Sequence, residues 1–356
     1  KGPHILGRPF GVQVNAAYFA GGALPSAATQ WTVYSAEGSF TPPNQDKYTF
    51  GTWRPWWRTW SPSGAKTHQG NLSGQTDALG SHYLDVHLKS LDKIGPITLH
   101  TEASVEDVNR QRWTASATVL VHPSERYVGL RMDKSVVSAN ESFTVDGLVV
   151  TLDGEPVADV PIEMTMAKMR WTRVKGQWTE VPEDVDVCRK DSKLDAVQCS
   201  FRPKEGATYR IEAKVRDAAG RPNVSTLRFW VPGGAQKPER RVALEEVMLI
   251  PGQRNVVPGD TLTVLVQAPF APAEGLLTLR RNGLVKKERF TMTGPTHELS
   301  IDIDPAYLPN ITAQVDLVGA ATRVSDSGAP LPDAPKRPAF ATGSLPIKIS
   351  TASRAL

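Results

Sequence analysis

The sequence predicts an all-β chain of tandem antiparallel β-sandwiches, and three observations carry that expectation. Prolines and glycines, 28 of each, are spread along all 356 residues and punctuate too often for long helices. The segments between them alternate apolar and polar residues, the pattern of half-buried strands. Similar segments also recur about 110 to 130 residues apart, the spacing of whole sandwich domains.

The length supports the same reading, because one hydrophobic core seldom serves 356 residues. Glu-Ala-x-Val-x-Asp stands at Glu102 to Asp107 and again at Glu212 to Asp217, each at the end of a strand-like run. Val136-Val137-Ser138-Ala139-Asn140 leads into Phe143, and Val256-Val257-Pro258-Gly259-Asp260 leads into Leu262. Leu6 to Phe10 opens the first repeat similarly, before Val12 and Val14 alternate. Turn residues cluster at His122-Pro123 and around Pro232-Gly233-Gly234, so the expected units are 1–122, 123–234 and 235–356. Within the third unit Asn282-Gly283, between two alternating segments, predicts a hairpin with a type I′ turn.

Composition narrows the function. With 40% hydrophobic and 22% charged residues each unit can bury its own core, and the net charge of +4 lacks the dense basic face of a nucleic-acid binder. No apolar run reaches the roughly 18 residues of a membrane span, so no membrane contact by this stretch is expected. The chain begins at Lys1 without a leader and reads as a piece of a longer protein. Cys188 and Cys199 flank a polar loop between alternating segments, which predicts a disulfide between adjacent strands and hence an oxidising compartment.

Candidate sites are few. Trp53, Trp56, Trp57 and Trp60 fall within eight residues. They read either as packing against a neighbouring domain or as a possible interaction surface, a platform for sugars or a hydrophobic partner. His4, His68, His82, His87, His100, His122 and His297 include no His-x-x-x-His pair, and His82 and His87 fall on opposite faces of a strand, so neither a metal nor a cofactor is expected. There is no Gly-x-Ser-x-Gly elbow, no cysteine beside a base and no phosphate-cradling loop, so the chain is not expected to be an enzyme. Arg280, Arg281, Lys286, Lys287 and Arg289 read as a solvated strand face. Residues 320–341, poor in β-formers, predict a long exposed loop in which a protease could reach Lys336 or Arg337, although prolines flank the pair.

Several strings, in order, resemble the bacterial alpha-2-macroglobulin family over essentially the whole chain: YFAGGALPSAATQWTV, FTPPNQDKYTFGTWRPWW, VNRQRWTASATVLVHPSERYVGL, VVPGDTLTVLVQAPFAPAEGLLTLRRNG, GPTHELSI, VDLVGAATR and KRPAFATGSL. The resemblance implies consecutive macroglobulin-like domains of a very large protease-trapping inhibitor. Such a protein is often a lipoprotein anchored to a bacterial membrane and facing the periplasm, or is extracellular. Its partners would be neighbouring domains of the same chain and trapped proteases. Neither Cys188-Arg-Lys-Asp nor Cys199-Ser-Phe-Arg fits the family's Cys-x-Glu-Gln thioester motif, so this stretch is expected upstream of the thioester, with the bait segment beyond it. The competing reading is a carbohydrate-binding adhesin module with the tryptophans as its platform.

Overall fold

The computed structural model describes residues 2–58, 66–88, 94–174, 177–234, 245–325 and 330–352. They form 24 strands, with a 3-10 turn at Pro305–Tyr307 and no α-helix among the described residues.

The first group of strands is β1 (His4–Ile5), β2 (Phe10–Asn15), β3 (Ala28–Glu37), β4 (Thr49–Phe50), β5 (Thr67–Gln75), β6 (Ser81–Val86), β7 (Ile97–Glu106) and β8 (Arg112–His122). Five form one sheet in the order β1-β8-β7-β3-β5, faced by the two-stranded antiparallel sheet β2-β6. Trp31, Leu99, Ala103 and Val105 from the large sheet pack against Val14, Leu84 and Val86 from the two-stranded sheet. The pairing is antiparallel apart from β1, which runs parallel to β8 over two residues. Strand β4 leaves this unit altogether.

The second group is β9 (Arg126–Arg131), β10 (Phe143–Thr151), β11 (Pro161–Val174), β12 (Gln177–Asp191), β13 (Val197–Phe201), β14 (Ala207–Arg216) and β15 (Pro222–Val231). Sheet β13-β10-β9-β4 faces sheet β12-β11-β14-β15 across a core that includes Val145, Met164, Ile211 and Phe229. Cys188 on β12 and Cys199 on β13 are disulfide-bonded, with Cα atoms 6.1 Å apart. The bridge does not join paired strands, as the alternation suggested. It joins the two sheets, because β12 pairs with β11 while β13 pairs with β10. Closing a loop of about a dozen residues, it should contribute about 3 kcal/mol by restricting the unfolded chain. Reduction is therefore expected to lower the unfolding free energy of the second unit by that amount, read from urea denaturation with and without dithiothreitol.

The third group is β16 (Met248–Pro251), β17 (Thr261–Gln267), β18 (Ala273–Arg280), β19 (Leu284–Met292), β20 (Thr296–Asp302), β21 (Asn310–Ala321), the short pair β22 (Arg323–Val324) and β23 (Pro330–Leu331), and β24 (Arg337–Lys348). Sheets β16-β17-β20 and β19-β18-β21-β24 enclose Leu265, Leu277, Val315 and Leu345. The hairpin β18-β19 forms, but not through a two-residue turn. Arg281 N–H donates to the Gly283 carbonyl at 3.0 Å and the register shifts between Leu279 and Arg280, making residues 281–283 a three-residue loop. The loop expected over 320–341 is also shorter. Ala320 and Ala321 end β21, and 337–341 start β24, where Ala339 and Ala341 turn inward against β21. Pro338 and Pro346 are accommodated because β24 is an edge strand.

The repeated sequences build repeated turns. Asp107 Oδ1 accepts from the N–H groups of Asn109 and Gln111 at 2.8 and 2.9 Å. Asp217 Oδ1 accepts from Ala219 and Arg221, both at 3.0 Å. Asp77 makes the same turn with Leu79 and Ser81, at 2.9 and 2.8 Å. The matched openings, however, are offset by one residue from the sequence alignment. Positive φ falls at Asn140 in one and at Gly259 in the other, so buried Val137 corresponds to buried Val256.

Candidate functional site

The tryptophan cluster belongs to a strap, residues 39–58, that departs from the first unit and crosses the second to reach the third. Its course follows from the two-sided burial of β9 and β10. One face of these strands meets the second core, and the other presents Tyr127, Leu148 and Val150 to Phe40, Tyr48 and Phe50 of the strap. Strands buried on both faces read as continuous apolar runs, and YVGL and GLVV are such runs. They were the signal in the sequence for a covering segment. The docking aromatics Phe40, Tyr48 and Phe50 and the partner Trp230 are the residues that sequence reasoning missed.

The backbone pins the strap. Thr49 and Phe50 pair with Leu130 and Gly129 as an added edge strand. Gly51 N–H donates to Ser225 Oγ at 2.8 Å, and the Gly51 carbonyl accepts from Thr226 N–H at 2.9 Å. Trp53 N–H donates to Thr226 Oγ1 at 3.0 Å, and Gln45 Nε2 donates to the Gly154 carbonyl at 2.9 Å. Gly154 must be glycine twice over: its φ is +87°, and a Cβ there would lie 2.1 Å from the Pro43 carbonyl oxygen.

At the far end Trp53, Trp56 and Trp57 meet Trp230 of β15. Trp57 and Trp230 are 7% and 5% exposed and lie in the same cluster as Val247, Leu249 and Phe270 of the third unit. Trp53 and Trp56 are partly buried, with Trp53 touching the second and third cores. Ring centroids lie 5.1 to 5.9 Å apart, all edge-to-face, the arrangement ring quadrupoles favour. The indole faces are thus turned on one another, and the cluster is a three-way packing joint between strap, β15 and third unit. Arg58 extends the joint through an ion pair with Glu246, whose backbone bridges to Thr342 on β24. Trp60 lies outside the described residues.

A second, polar joint lies between the first and second units. Asp217 is buried and accepts from Ser124 Oγ at 3.2 Å, Glu125 N–H at 3.0 Å and Arg221 Nε at 2.8 Å. Arg221 also pairs with Glu125 at 3.0 Å, and Glu125 with Arg8 of the first unit at 2.7 Å. Burial works against the Asp217 charge, but the N–H groups of Glu125 and Arg221 and the Arg221 guanidinium outweigh it and hold the carboxyl below its ordinary value. His122 Nδ1 lies 2.9 Å from the Tyr127 hydroxyl, with Phe40 edge-on to the imidazole. Burial, then nearby His4, pushes the His122 pKa down, and burial alone pushes Tyr127 up.

Lys336 is exposed ahead of β24, whereas Arg337 is the first residue of that strand and is ion-paired with Glu245. The connection from β21 to β24 thus runs over 322–336, with Arg323 Nε donating to the Pro335 carbonyl at 2.8 Å across its base. Among the described residues no group of three or more His, Cys, Asp or Glu side chains is placed to hold a metal. A depression of about 610 Å³ on the second unit, over Ile162 and Val215, is spanned by the Arg189–Glu163 ion pair at 2.7 Å.

Residues 247–356 match the family model described as Alpha-2-macroglobulin bait region domain. Residues 98–193 match the Zinc-regulated secreted antivirulence protein C-terminal domain, a span straddling the first two units. An Alpha-2-macroglobulin homolog of Nostoc sp. is 21% identical over 321 residues, 86% of this chain but 16% of that protein. The Circularly permutated Ras protein 2 of Dictyostelium discoideum is 23% identical over 238 residues, 62% of this chain and 6% of its own length. The chain therefore spans a small part of the curated relatives it matches. Among solved structures, native Escherichia coli alpha-2-macroglobulin aligns over 99% of this chain and 23% of its own, with 16% identity and a TM-score of 0.45. The trypsin-activated form aligns over 99% and 24%, with 15% identity and a TM-score of 0.46. The bait segment was expected beyond this chain, whereas the bait region domain model matches residues 247–356, within the third unit. By these sequence matches the chain is similar to alpha-2-macroglobulins over most of its length, with the bait region domain match at residues 247–356.

Proposed function

We propose that the chain is the wall and trigger section of a bacterial protease trap, an inhibitor and not an enzyme, guarding the cell envelope from the periplasmic or outer side as part of an anchored parent protein. One observation carries this reading: the bait region domain match falls on a sandwich whose connection from β21 to β24, 322–336, bears exposed Arg323 and Lys336. Exposed excursions of this kind are where proteases cut. The first two units serve as wall, and the strap ties that wall to the domain that is cut.

Brief exposure of the chain to trypsin should give first cuts inside 322–336, mapped by mass spectrometry, while the chain alone neither hydrolyses a substrate nor retains the protease on size exclusion. First cuts in the basic strand at Lys286 to Arg289, or protease retained by the chain alone, would overturn the assignment.

A further inference from the structure

Prolines in and just after the connection 322–336 stand at 330, 332, 335 and 338, and each directly follows a side chain that a serine endopeptidase reads: Ala329, Leu331, Ala334 and Arg337. Small, large apolar and basic side chains suit the specificity pockets of elastase-, chymotrypsin- and trypsin-type enzymes in turn. Proline on the leaving side closes all four bonds, because its ring locks φ and crowds the nitrogen that must depart as the amine. Leu331 is 40% exposed, so the shield over its bond is Pro332 and not burial.

Two bonds after basic residues stay open to that chemistry, Arg323–Val324 and Lys336–Arg337. The fold separates them. A protease takes its substrate as an extended strand, so residues on either side of the cut must leave their own partners. Beyond Lys336 these are Arg337, Pro338 and Ala339, which pair with Ala321, Ala320 and Gly319 at the start of the long β21-β24 ladder. Arg337 is ion-paired with Glu245, and Ala339 is 7% exposed against the core. Around Arg323 the ladder is β22-β23, only Arg323 to Leu331 and Val324 to Pro330, and Pro330 has no N–H to give it. So short a two-stranded pairing is marginal by itself. The exposed Arg323 side chain gives up its hydrogen bond to the Pro335 carbonyl, and at most the end pair Ala321 to Arg337 must fray.

We propose, resting on the bait reading of 322–336, that this connection is a selective substrate: trypsin-type endopeptidases open it at the Arg323–Val324 bond, and chymotrypsin-type endopeptidases leave it whole. Water adds across the broken bond, so Arg323 gains the new carboxylate and Val324 the new amino group. Strand β24 keeps its pairing with β21, and residues 324–336 become a tail at its head.

Short digests of the full chain with trypsin and, separately, with chymotrypsin test this by intact-mass spectrometry. With trypsin the fragment beginning at Val324 is expected to exceed the one beginning at Arg337 by about tenfold or more. Arg323→Gln should abolish the first fragment, and Lys336→Gln should leave it unchanged. Chymotrypsin should make no cut within 322–336 until Pro332→Ala opens the bond after Leu331. All three substitutions fall on exposed residues. Cutting after Lys336 that equals or exceeds cutting after Arg323, a chymotrypsin cut inside 322–336 of the unaltered chain, or a Pro332→Ala chain still intact after Leu331 would sink the assignment. The two tryptic fragments are compared within one digest, so this assignment and the bait reading stand or fall separately.

Discussion

Trp57→Ala is expected to lower the unfolding free energy of the chain by about 3 to 5 kcal/mol, the usual cost of truncating a fully packed tryptophan. Trp57 is 7% exposed and touches the rings of Trp53, Trp56 and Trp230 while sitting in the third unit's core. Its loss opens a cavity at a joint shared by three segments. Guanidinium denaturation followed by tryptophan fluorescence should therefore show an earlier transition for the third unit and release of the strap from β15. Trp113→Ala is the control, since 68% of that residue is already in solvent and its stability effect should be small. Equal losses for the two variants would show that the strap is not a packing element.

The second large effect is expected at Asp217. Replacing it by alanine strips the acceptor from Ser124, Glu125 and Arg221 and leaves the Arg221 guanidinium, with 15% of its side chain exposed, short of its main counter-charge. Breaking a buried pair from one side costs about 3 to 5 kcal/mol. The carboxyl is held below its ordinary value in the fold, so its contribution is present above the unfolded carboxylate pKa of about 3.9 and is lost as pH falls through the folded value. His122, whose folded pKa is also depressed, acts with the same sign at higher pH, because protonation favours the unfolded chain below about 6.5. The joint between the first two units should therefore loosen on acidification. Asp217→Asn should flatten the part of that profile below pH about 4 and leave the histidine part intact, read as protease sensitivity of the 122–126 linker against pH.

Local pattern carried what depends on local geometry. Alternation in segments such as Ile97–Glu106 placed the strands, and the Glu-Ala-x-Val-x-Asp repeat marked two turns that Asp107 and Asp217 build in the same way. What it did not carry was destination. The tryptophan spacing at 53–60 shows no strand alternation, and only the second apolar faces of β9 and β10, far along the chain, determine that residues 39–58 lie across another unit. Cys188 and Cys199 were legible as a pair, yet period-two alternation is the same whether two strands are neighbours in one sheet or sit in facing sheets. The excursion after β21 was overestimated because Ala339, Ala341 and Gly343 are weak β-formers. Small side chains are required there, since a Cβ on Gly343 would lie 2.1 Å from the Val247 carbonyl oxygen.

The strap also imposes an order on biosynthesis. A chain made from its N-terminus at roughly 5 to 20 residues per second presents Trp53, Trp56 and Trp57 about 190 residues before Val247 and Leu249 emerge to cover them. The nascent polypeptide therefore carries an uncovered aromatic cluster for on the order of ten seconds or more, beside Phe40, Tyr48 and Phe50, which wait for β9 and β10. The first unit cannot mature as a self-sufficient bead ahead of its neighbours; its last segment to settle is made before the units it settles on. Recombinant pieces that stop before the third unit keep the nascent chain's exposed tryptophans permanently, and are the pieces that should aggregate or recruit chaperones.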